Sequence, residues 1–141
     1  MQKARKVPTN KFTPMQRRFI AALRSGQYNQ TSSRLVRFGE KIAGEEGDFF
    51  CALGVACDVI GLKCDNDGHY HYNRDHCSAS MPDGSYHKLH LASSMGDSVS
   101  GKSKSITGLN DSGQSFEQIA DILEKYPARY FTNFKPTKRK K

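Results

Sequence analysis

The stretch DFFCALGVACDVIG, residues 48–61, is the most hydrophobic run of the chain, and its only charges are Asp48 and Asp58. It predicts a helix that begins just after Asp48, whose carboxylate is placed to accept hydrogen bonds from the first free backbone amides. Because this helix is apolar around nearly its whole circumference, we expect it to lie in the middle of the fold. A buried carboxylate at Asp58 requires a partner, for which we expect an arginine such as Arg24 or Arg34.

The length and composition indicate one domain. A chain of 141 residues fits a single core with tails, and 36% hydrophobic and 26% charged residues are typical of a soluble protein. No apolar run approaches the roughly 20 residues that a membrane-spanning helix needs. The N-terminal sequence also lacks the apolar stretch of a secretory signal. We therefore expect a cytoplasmic protein without membrane contact, with a basic tail at 1–12, one domain at 13–134 and a basic tail at 135–141.

Residues 13–26 predict the first amphipathic helix. Thr13 can cap a helix whose first residue is Pro14, and Gly26 supplies a left-handed end. One face of this helix is apolar and predicts core packing, which leaves Gln16 outside. The apolar residues are Met15, Phe19, Ile20 and Leu23.

A second amphipathic helix is predicted near the C-terminus. Ser115 begins a capping box in front of the sequence FEQIADILEKY, and Pro127 ends the helix. In the turn just before it, Asn110 and Asp111 are expected to bond to their own backbone and to set how the chain enters the helix. We assign structural roles to Ser115, Asn110 and Asp111, and also to Asp58.

The segments between the helices predict a small antiparallel sheet. Residues 34–38, RLVRF, suit a short strand with Phe38 pointing inward, and residues 62–75 suit a hairpin with an Asp-Gly turn. A further strand is expected at 85–91, whereas the Ser/Gly-rich residues 93–105 predict a mobile linker. The fold class is therefore α+β, a single domain with about three helices around a buried central helix and a small antiparallel sheet.

The net charge of +8 is concentrated at the two ends of the chain. Residues 1–18 and 135–141 hold 11 of the 22 basic side chains and no acid, while residues 19–134 hold 11 basic and 14 acidic side chains. Terminal lysines and arginines can contact phosphates without sequence specificity, so nucleic acid is a possible partner and a solubilising tail is the alternative. The candidate nucleic-acid-binding residues are Lys3, Arg5, Lys6, Lys138, Arg139, Lys140 and Lys141.

Two kinds of chemistry are conceivable for the cysteines and histidines. Cys51 at the start of a helix, followed in sequence by His87 and His90, has the order of a papain-like cysteine hydrolase. However, nothing near Cys51 supplies an oxyanion hole, and a free cysteine usually packs as a small apolar residue. We therefore identify no catalytic residue, and these three remain the candidates for an enzymatic alternative.

A zinc site is the second possibility. Five potential ligands lie within fourteen residues, Cys64, His69, His71, His76 and Cys77. None of the familiar paired spacings is present, so we expect no metal or other cofactor, with zinc as the alternative. Cys64 and Cys77 are expected to form a disulfide only in an oxidising compartment.

Three segments together resemble a known family. AALRSGQYNQ at 21–30, CALGVACDV at 51–59 and LNDSGQSFEQIADILEK at 109–125 resemble the signature blocks of small proteins that are encoded by bacteriophages and bacteria and have no assigned function. The chain departs from the pattern at Ala52, where a second cysteine often lies. The resemblance implies a phage-like origin and action in a bacterial cytoplasm, and it implies no reaction.

The sequence leads to three functional hypotheses. The first is a phage-type, non-enzymatic binding protein whose partner is a host or phage protein that it binds or inhibits. The second is a nucleic-acid-binding protein that uses its basic tails, and the third is the cysteine hydrolase.

Overall fold

Five helices and two three-stranded sheets form the part of the chain that a computed structural model describes, residues 10–42 and 45–135. The helices are α1 Pro14–Arg24, α2 Ala52–Val59, α3 Ile106–Asp111, α4 Phe116–Lys125 and α5 Pro127–Tyr130, with a 3-10 helix at Ser85–Leu89. The strands are β1 Asn29–Gln30, β2 Val36–Ile42, β3 Glu45–Phe50, β4 Lys63–Cys64, β5 Tyr70–Tyr72 and β6 Asp75–Cys77. This is the α+β fold that the sequence predicts, with α1, α2 and α4 as its principal helices.

The central helix α2 is buried as predicted, but the expectation that it begins just after Asp48 is wrong. Residues 45–50 pair with β2 as strand β3, so the chain is still extended at Asp48. The Asp48 carboxylate accepts a hydrogen bond from the backbone of Gly39 at 3.0 Å. Cys51 caps α2 instead, with its thiol accepting the amide N–H of Gly54 at 3.4 Å.

Gly54 allows the backbone of a neighbouring segment to approach α2 closely. A Cβ atom at this position would lie 1.8 Å from the carbonyl oxygen of Leu35. The same oxygen accepts the amide N–H of Cys51 at 3.1 Å, and Leu35 is fully buried. The segment that leads into β2 is therefore packed directly on the first turn of α2.

Helix α1 packs against α2 and α4, and it begins at the predicted cap of Thr13 and Pro14. The prediction that Gln16 lies outside is wrong, because its side chain is fully buried. Its amide nitrogen donates to the carbonyl oxygen of Leu89 at 2.9 Å and to Oδ1 of Asn133 at 2.8 Å. Because these distant partners satisfy the hydrogen-bonding capacity of the Gln16 amide, the side chain can be buried among apolar residues.

The first sheet has the order β1-β3-β2, with β1 parallel and β2 antiparallel to β3. The strand predicted at 34–38 is present, but Phe38 does not point inward, since 43% of the residue is exposed. The pairing of β2 shifts register between Arg37 and Glu40, and Gly39 has φ of 60°. This bulge breaks the alternation of inward and outward side chains on which the prediction rested.

The second sheet confirms the predicted hairpin. Its strand order is β4-β5-β6, all antiparallel, and Tyr70 of β5 is buried against the core. The prediction of a strand at 85–91 is wrong, because this segment contains the 3-10 helix. Gly84 and His90 take left-handed conformations at its two ends, and the Ser85 hydroxyl donates to the carbonyl oxygen of Pro82 at 2.6 Å.

Residues 93–105 are ordered by hydrogen bonds rather than forming the expected linker. The carbonyl oxygen of Gly96 accepts the amide N–H of Ile106 at 2.8 Å, and the Ser98 hydroxyl accepts that of Ser103 at 3.1 Å. Ser98 is 4% exposed. This segment therefore forms consecutive turns whose backbone N–H and C=O groups are hydrogen-bonded, and not the mobile linker that the sequence predicts.

The C-terminal helix is confirmed, and the element before it is longer than predicted. Helix α4 begins with the capping box of Ser115 and Gln118 and ends before Pro127. Asn110 and Asp111 are the last residues of α3 rather than part of a turn. None of the helices in the described part of the chain is long and apolar enough to cross a membrane.

The contact at Gly54 gives a first prediction. In an ordinary helix, replacing glycine by alanine stabilises the protein by up to about 1 kcal/mol. Here we expect Gly54→Ala to lower the free energy of unfolding by about 3 kcal/mol, because the new methyl group overlaps the Leu35 carbonyl. Urea denaturation followed by circular dichroism measures the change. A variant as stable as the unaltered protein would show that the two segments are not packed this closely.

Candidate functional site

The three sequence blocks at 21–30, 51–59 and 109–125 meet at the side chain of Asn110, which is 4% exposed. Its Oδ1 atom accepts the amide N–H of Ala52 at 3.1 Å and Nε2 of Gln30 at 3.0 Å. Its Nδ2 atom donates to the carbonyl oxygen of Thr31 at 2.7 Å. One amide therefore joins the end of the first block, the start of the second and the beginning of the third.

Gln30 extends this network to the next helix. Its Nε2 atom donates to the carbonyl oxygen of Gln114 at 2.7 Å, and its Oε1 atom accepts the amide N–H of Phe116 at 3.1 Å. Oδ1 of Asp111 accepts the amide N–H of Ser33 at 3.1 Å. These polar groups satisfy one another across the start of α4, which is a structural arrangement rather than a set of groups open to a substrate.

Asp58 lies at the surface, and the arginine partner expected for it is wrong. Its carboxylate accepts a hydrogen bond from the Tyr28 hydroxyl. Burial, followed by this hydrogen bond, raises the pKa of Tyr28 to about 12. Arg24 instead pairs with Asp121 at 2.6 Å and with Glu124 at 2.8 Å, which joins α1 to α4.

Cys51 is enclosed at the start of α2. Only 5% of the residue is exposed, and burial raises the pKa of its thiol to about 11, although the hydrogen bond from Gly54 opposes this shift. The thiol is therefore protonated at neutral pH. His87 packs its ring on Tyr86 with 4.3 Å between ring centroids, and His90 accepts the backbone N–H of Thr132 through its carbonyl oxygen.

The hairpin brings three of the zinc candidates together. The rings of His69 and His71 both stack with the ring of His76, at centroid distances of 5.3 and 5.2 Å. Asp65 lies 2.7 Å from Nε2 of His71, and this hydrogen bond is the main cause that lowers the pKa of Asp65 to about 2. Among the described residues, no three potential ligands are placed to hold one metal ion.

A disulfide between Cys64 and Cys77, which the sequence allows only in an oxidising compartment, does not fit the geometry of this sheet. Cys64 of β4 and Cys77 of β6 both pair with Tyr70, which lies on the strand between them. Two strand spacings separate their Cα atoms by about 10 Å. A disulfide requires about 4.4–6.8 Å, so the two residues remain free thiols.

The described residues form an open groove of about 920 Å³. It is lined by parts of the segment 99–103, the end of α4 with α5, and the residues at each end of the described chain. Four of the lining residues are cations and none is an acid. We call this feature the basic groove, and its cations are Lys102, Lys125, Arg129 and Lys135.

Both ends of the described chain meet at the basic groove. Asn10 donates its backbone N–H to the carbonyl oxygen of Asn133 at 3.0 Å, and its Oδ1 atom accepts that of Lys135 at 2.7 Å. Asn10 and Lys135 both line the groove. The tail residues of the nucleic-acid hypothesis lie outside the described residues, and they are Lys3, Arg5, Lys6, Lys138, Arg139, Lys140 and Lys141. The segments that carry them are attached to neighbouring points of this groove.

Lys102, Lys125 and Arg129 were not predicted to be binding residues. Lys102 lies in the segment expected to be a linker, and Lys125 lies at the end of the predicted C-terminal helix. An aromatic and basic run at 125–135, KYPARYFTNFK, was the available signal. Only the packing of α4 and α5 beside the segment 99–103 brings these cations to one groove.

The network at Asn110 gives a second prediction. Replacing Asn110 by alanine leaves the amide N–H of Ala52 and the carbonyl oxygen of Thr31 without their partners. We expect Asn110→Ala to lower the free energy of unfolding by about 2–4 kcal/mol. Asn66→Ala, at an exposed turn, is the control and should change it by less than about 0.5 kcal/mol. Equal stabilities of the two variants in thermal and urea denaturation would contradict the structural role of Asn110.

The enclosure of Cys51 gives a third prediction. At pH 7 a thiol with a pKa of about 11 holds about 100-fold less thiolate than one with the ordinary value of 9.0. We expect iodoacetamide to label Cys51 in the folded protein at least about 100-fold more slowly than in the chain unfolded in urea, as measured by peptide mass spectrometry. The half-buried Cys77 is the internal control. Faster labelling of Cys51 in the folded protein would indicate an activated nucleophile.

Comparison with known proteins identifies the family but no activity. No curated protein and no solved structure matches the chain. One family model, described as a domain of unknown function, matches residues 13–83, which include α1, both sheets and α2. The four cations of the basic groove lie beyond this region. Because the match covers half of the sequence, the chain belongs to the family described as domain of unknown function DUF8296.

Proposed function

We propose that this protein is a non-enzymatic binding protein that holds the phosphate backbone of a nucleic acid in the basic groove. The observation that carries the proposal is a concave surface lined by Lys102, Lys125, Arg129 and Lys135 and by no carboxylate. Proteins bind nucleic acid mainly by neutralising phosphates with such side chains, and the release of counterions drives the association.

The charges of the groove are available to a ligand. Among the described residues, none of the four cations forms an ion pair with a carboxylate, whereas Arg24 is occupied by Asp121 and Glu124. Lys102 and Lys125 are also exposed. An anion that enters the groove therefore has no internal carboxylate to displace.

The basic ends of the chain support the same proposal. They join the described structure at Asn10 and Lys135, which line the groove, and they carry seven further lysines and arginines within residues 1–9 and 136–141. The groove supplies cations on a packed scaffold, and both basic ends are joined to it at these two lining residues. The groove thus has no acidic lining residue, although residues 19–134 as a whole have a net negative charge.

The other two hypotheses have less support. Cys51 is enclosed and its pKa is raised, which is the opposite of what a cysteine hydrolase needs. A partner protein could use the apolar groups of the groove, but four cations without a carboxylate favour a polyanion. The resemblance of three sequence blocks to phage-encoded proteins supports a phage-type origin and action in the bacterial cytoplasm, and it favours none of the three hypotheses.

Neutralising two groove cations tests the proposal. We expect Lys102→Gln with Lys125→Gln to weaken binding of a fluorescently labelled duplex by about tenfold or more at low salt. The slope of log affinity against log salt should decrease by about 1.8, since each lost phosphate contact removes about 0.9. Fluorescence anisotropy over a series of salt concentrations measures both values.

The matched control is Lys63→Gln with Lys88→Gln, which removes the same charge from two exposed positions outside the groove. If both double variants lose the same affinity, the interaction depends on net charge and the groove has no special role. If the unaltered protein binds no nucleic acid at low salt, the proposal is wrong.

A further inference from the structure

We infer that the basic groove takes a single, unpaired strand of nucleic acid rather than a duplex, with bases stacking at Tyr126. This inference rests on the proposed function and specifies the form of its ligand. It follows from the apolar and aromatic groups that lie among the cations of the groove.

The lining of the groove combines charge with exposed apolar surface. Tyr126 and Val99 are each 43% exposed, and Pro127 and Phe134 are half-buried beside them. Lysines and arginines alone would suit any polyanion. Flat apolar groups next to the cations suit a ligand that has both phosphates and accessible base faces.

Tyr126 and Arg129 already form a stacked pair. The guanidinium carbon of Arg129 lies 4.3 Å from the centre of the Tyr126 ring, and Nζ of Lys125 lies 5.5 Å from it. Aromatic rings and guanidinium planes are the two kinds of surface on which unpaired bases stack. The pair therefore offers a stacking surface and two cations within a few ångströms of one another.

The fold does not need the exposed ring of Tyr126. The neighbouring aromatic core is made by Tyr130 and Phe131, which are 1% and 0% exposed. The Tyr126 side chain forms no hydrogen bond with the described residues, and the cations of Lys125 and Arg129 lie next to its ring. A tyrosine that is left at the surface beside cations is thus available to a ligand.

A duplex cannot use this surface in the same way. Its base faces are stacked inside the double helix, and its base edges are reached by a helix or a two-stranded ribbon that enters the major groove. The groove is lined by the end of α4, the four-residue helix α5 and turns of the segment 99–103. These elements can contact the phosphates of a duplex, but only an unpaired strand places bases against Tyr126.

The test compares two probes on the full chain. One is a fluorescein-labelled oligothymidylate of about 12 nucleotides, within the range of single-strand site sizes, and the other is a labelled duplex of the same length. Tyr126→Leu keeps an apolar side chain but removes the aromatic face. We expect it to weaken binding of the oligothymidylate by about 5- to 150-fold, the range of one lost base stack, and to change duplex binding less than about twofold.

Phe38→Leu is the matched control, because Phe38 has the same exposed fraction as Tyr126 and lies outside the basic groove. It should leave binding of both probes unchanged. Circular dichroism and thermal denaturation of both variants check that each remains folded, as their exposure predicts.

The outcomes separate the inference from the proposed function. Equal affinity of the unaltered protein for both probes, or no effect of Tyr126→Leu on the oligothymidylate, overturns the single-strand inference. In either case the proposed function stands if Lys102→Gln with Lys125→Gln weakens binding. Absence of binding to both probes at low salt overturns the inference and the proposed function together.

Discussion

The buried side-chain amide of Asn110 is the interaction on which the arrangement of the helices depends. It connects the first turn of α2 with α3 and with the chain next to β1 through Ala52, Gln30 and Thr31. Each such hydrogen bond contributes only about 1 kcal/mol net, but a buried group left without a partner costs about 1–3 kcal/mol. The amide therefore acts mainly by excluding other arrangements. The rest of the core packs against the broad apolar surface of α2, which these hydrogen bonds hold in position.

Features that depend on neighbouring residues could be predicted from the sequence, and those that depend on distant partners could not. The caps at Thr13 and Ser115 are local, and both helices begin where the sequence indicates. The burial of Gln16 depends on Asn133, which is 117 residues away. The predicted start of α2 is wrong for the same reason. The chain at Asp48 stays extended because it pairs with β2, and neither this pairing nor the bulge in β2 could be predicted from the sequence.

The candidate site illustrates the same limit. Counting charges along the sequence assigned the basic character to the tails and left residues 19–134 with a net negative charge. In the folded protein, acidic and basic side chains of α4 and α5 lie apart. Asp121 and Glu124 form ion pairs with Arg24, whereas Lys125 and Arg129 line the groove. The net charge of a segment does not show on which surfaces its acidic and basic side chains lie. One of the groove cations, Lys102, lies in the segment that was expected to be a linker.

Helices α4 and α5 line the groove and also contribute side chains to the core. This shared position affects how the groove would bind a ligand. The region shared with the family ends at residue 83, yet Ile119, Leu123 and Tyr130 beyond it belong to the same buried core. Helices α4 and α5 therefore bury these residues while Lys125 and Arg129, on the same two helices, line the groove. Because the backbone of these packed elements is already ordered, only the exposed side chains lose conformational freedom when a ligand binds. The groove thus holds its cations and Tyr126 at fixed backbone positions, which a site that distinguishes one ligand from another requires.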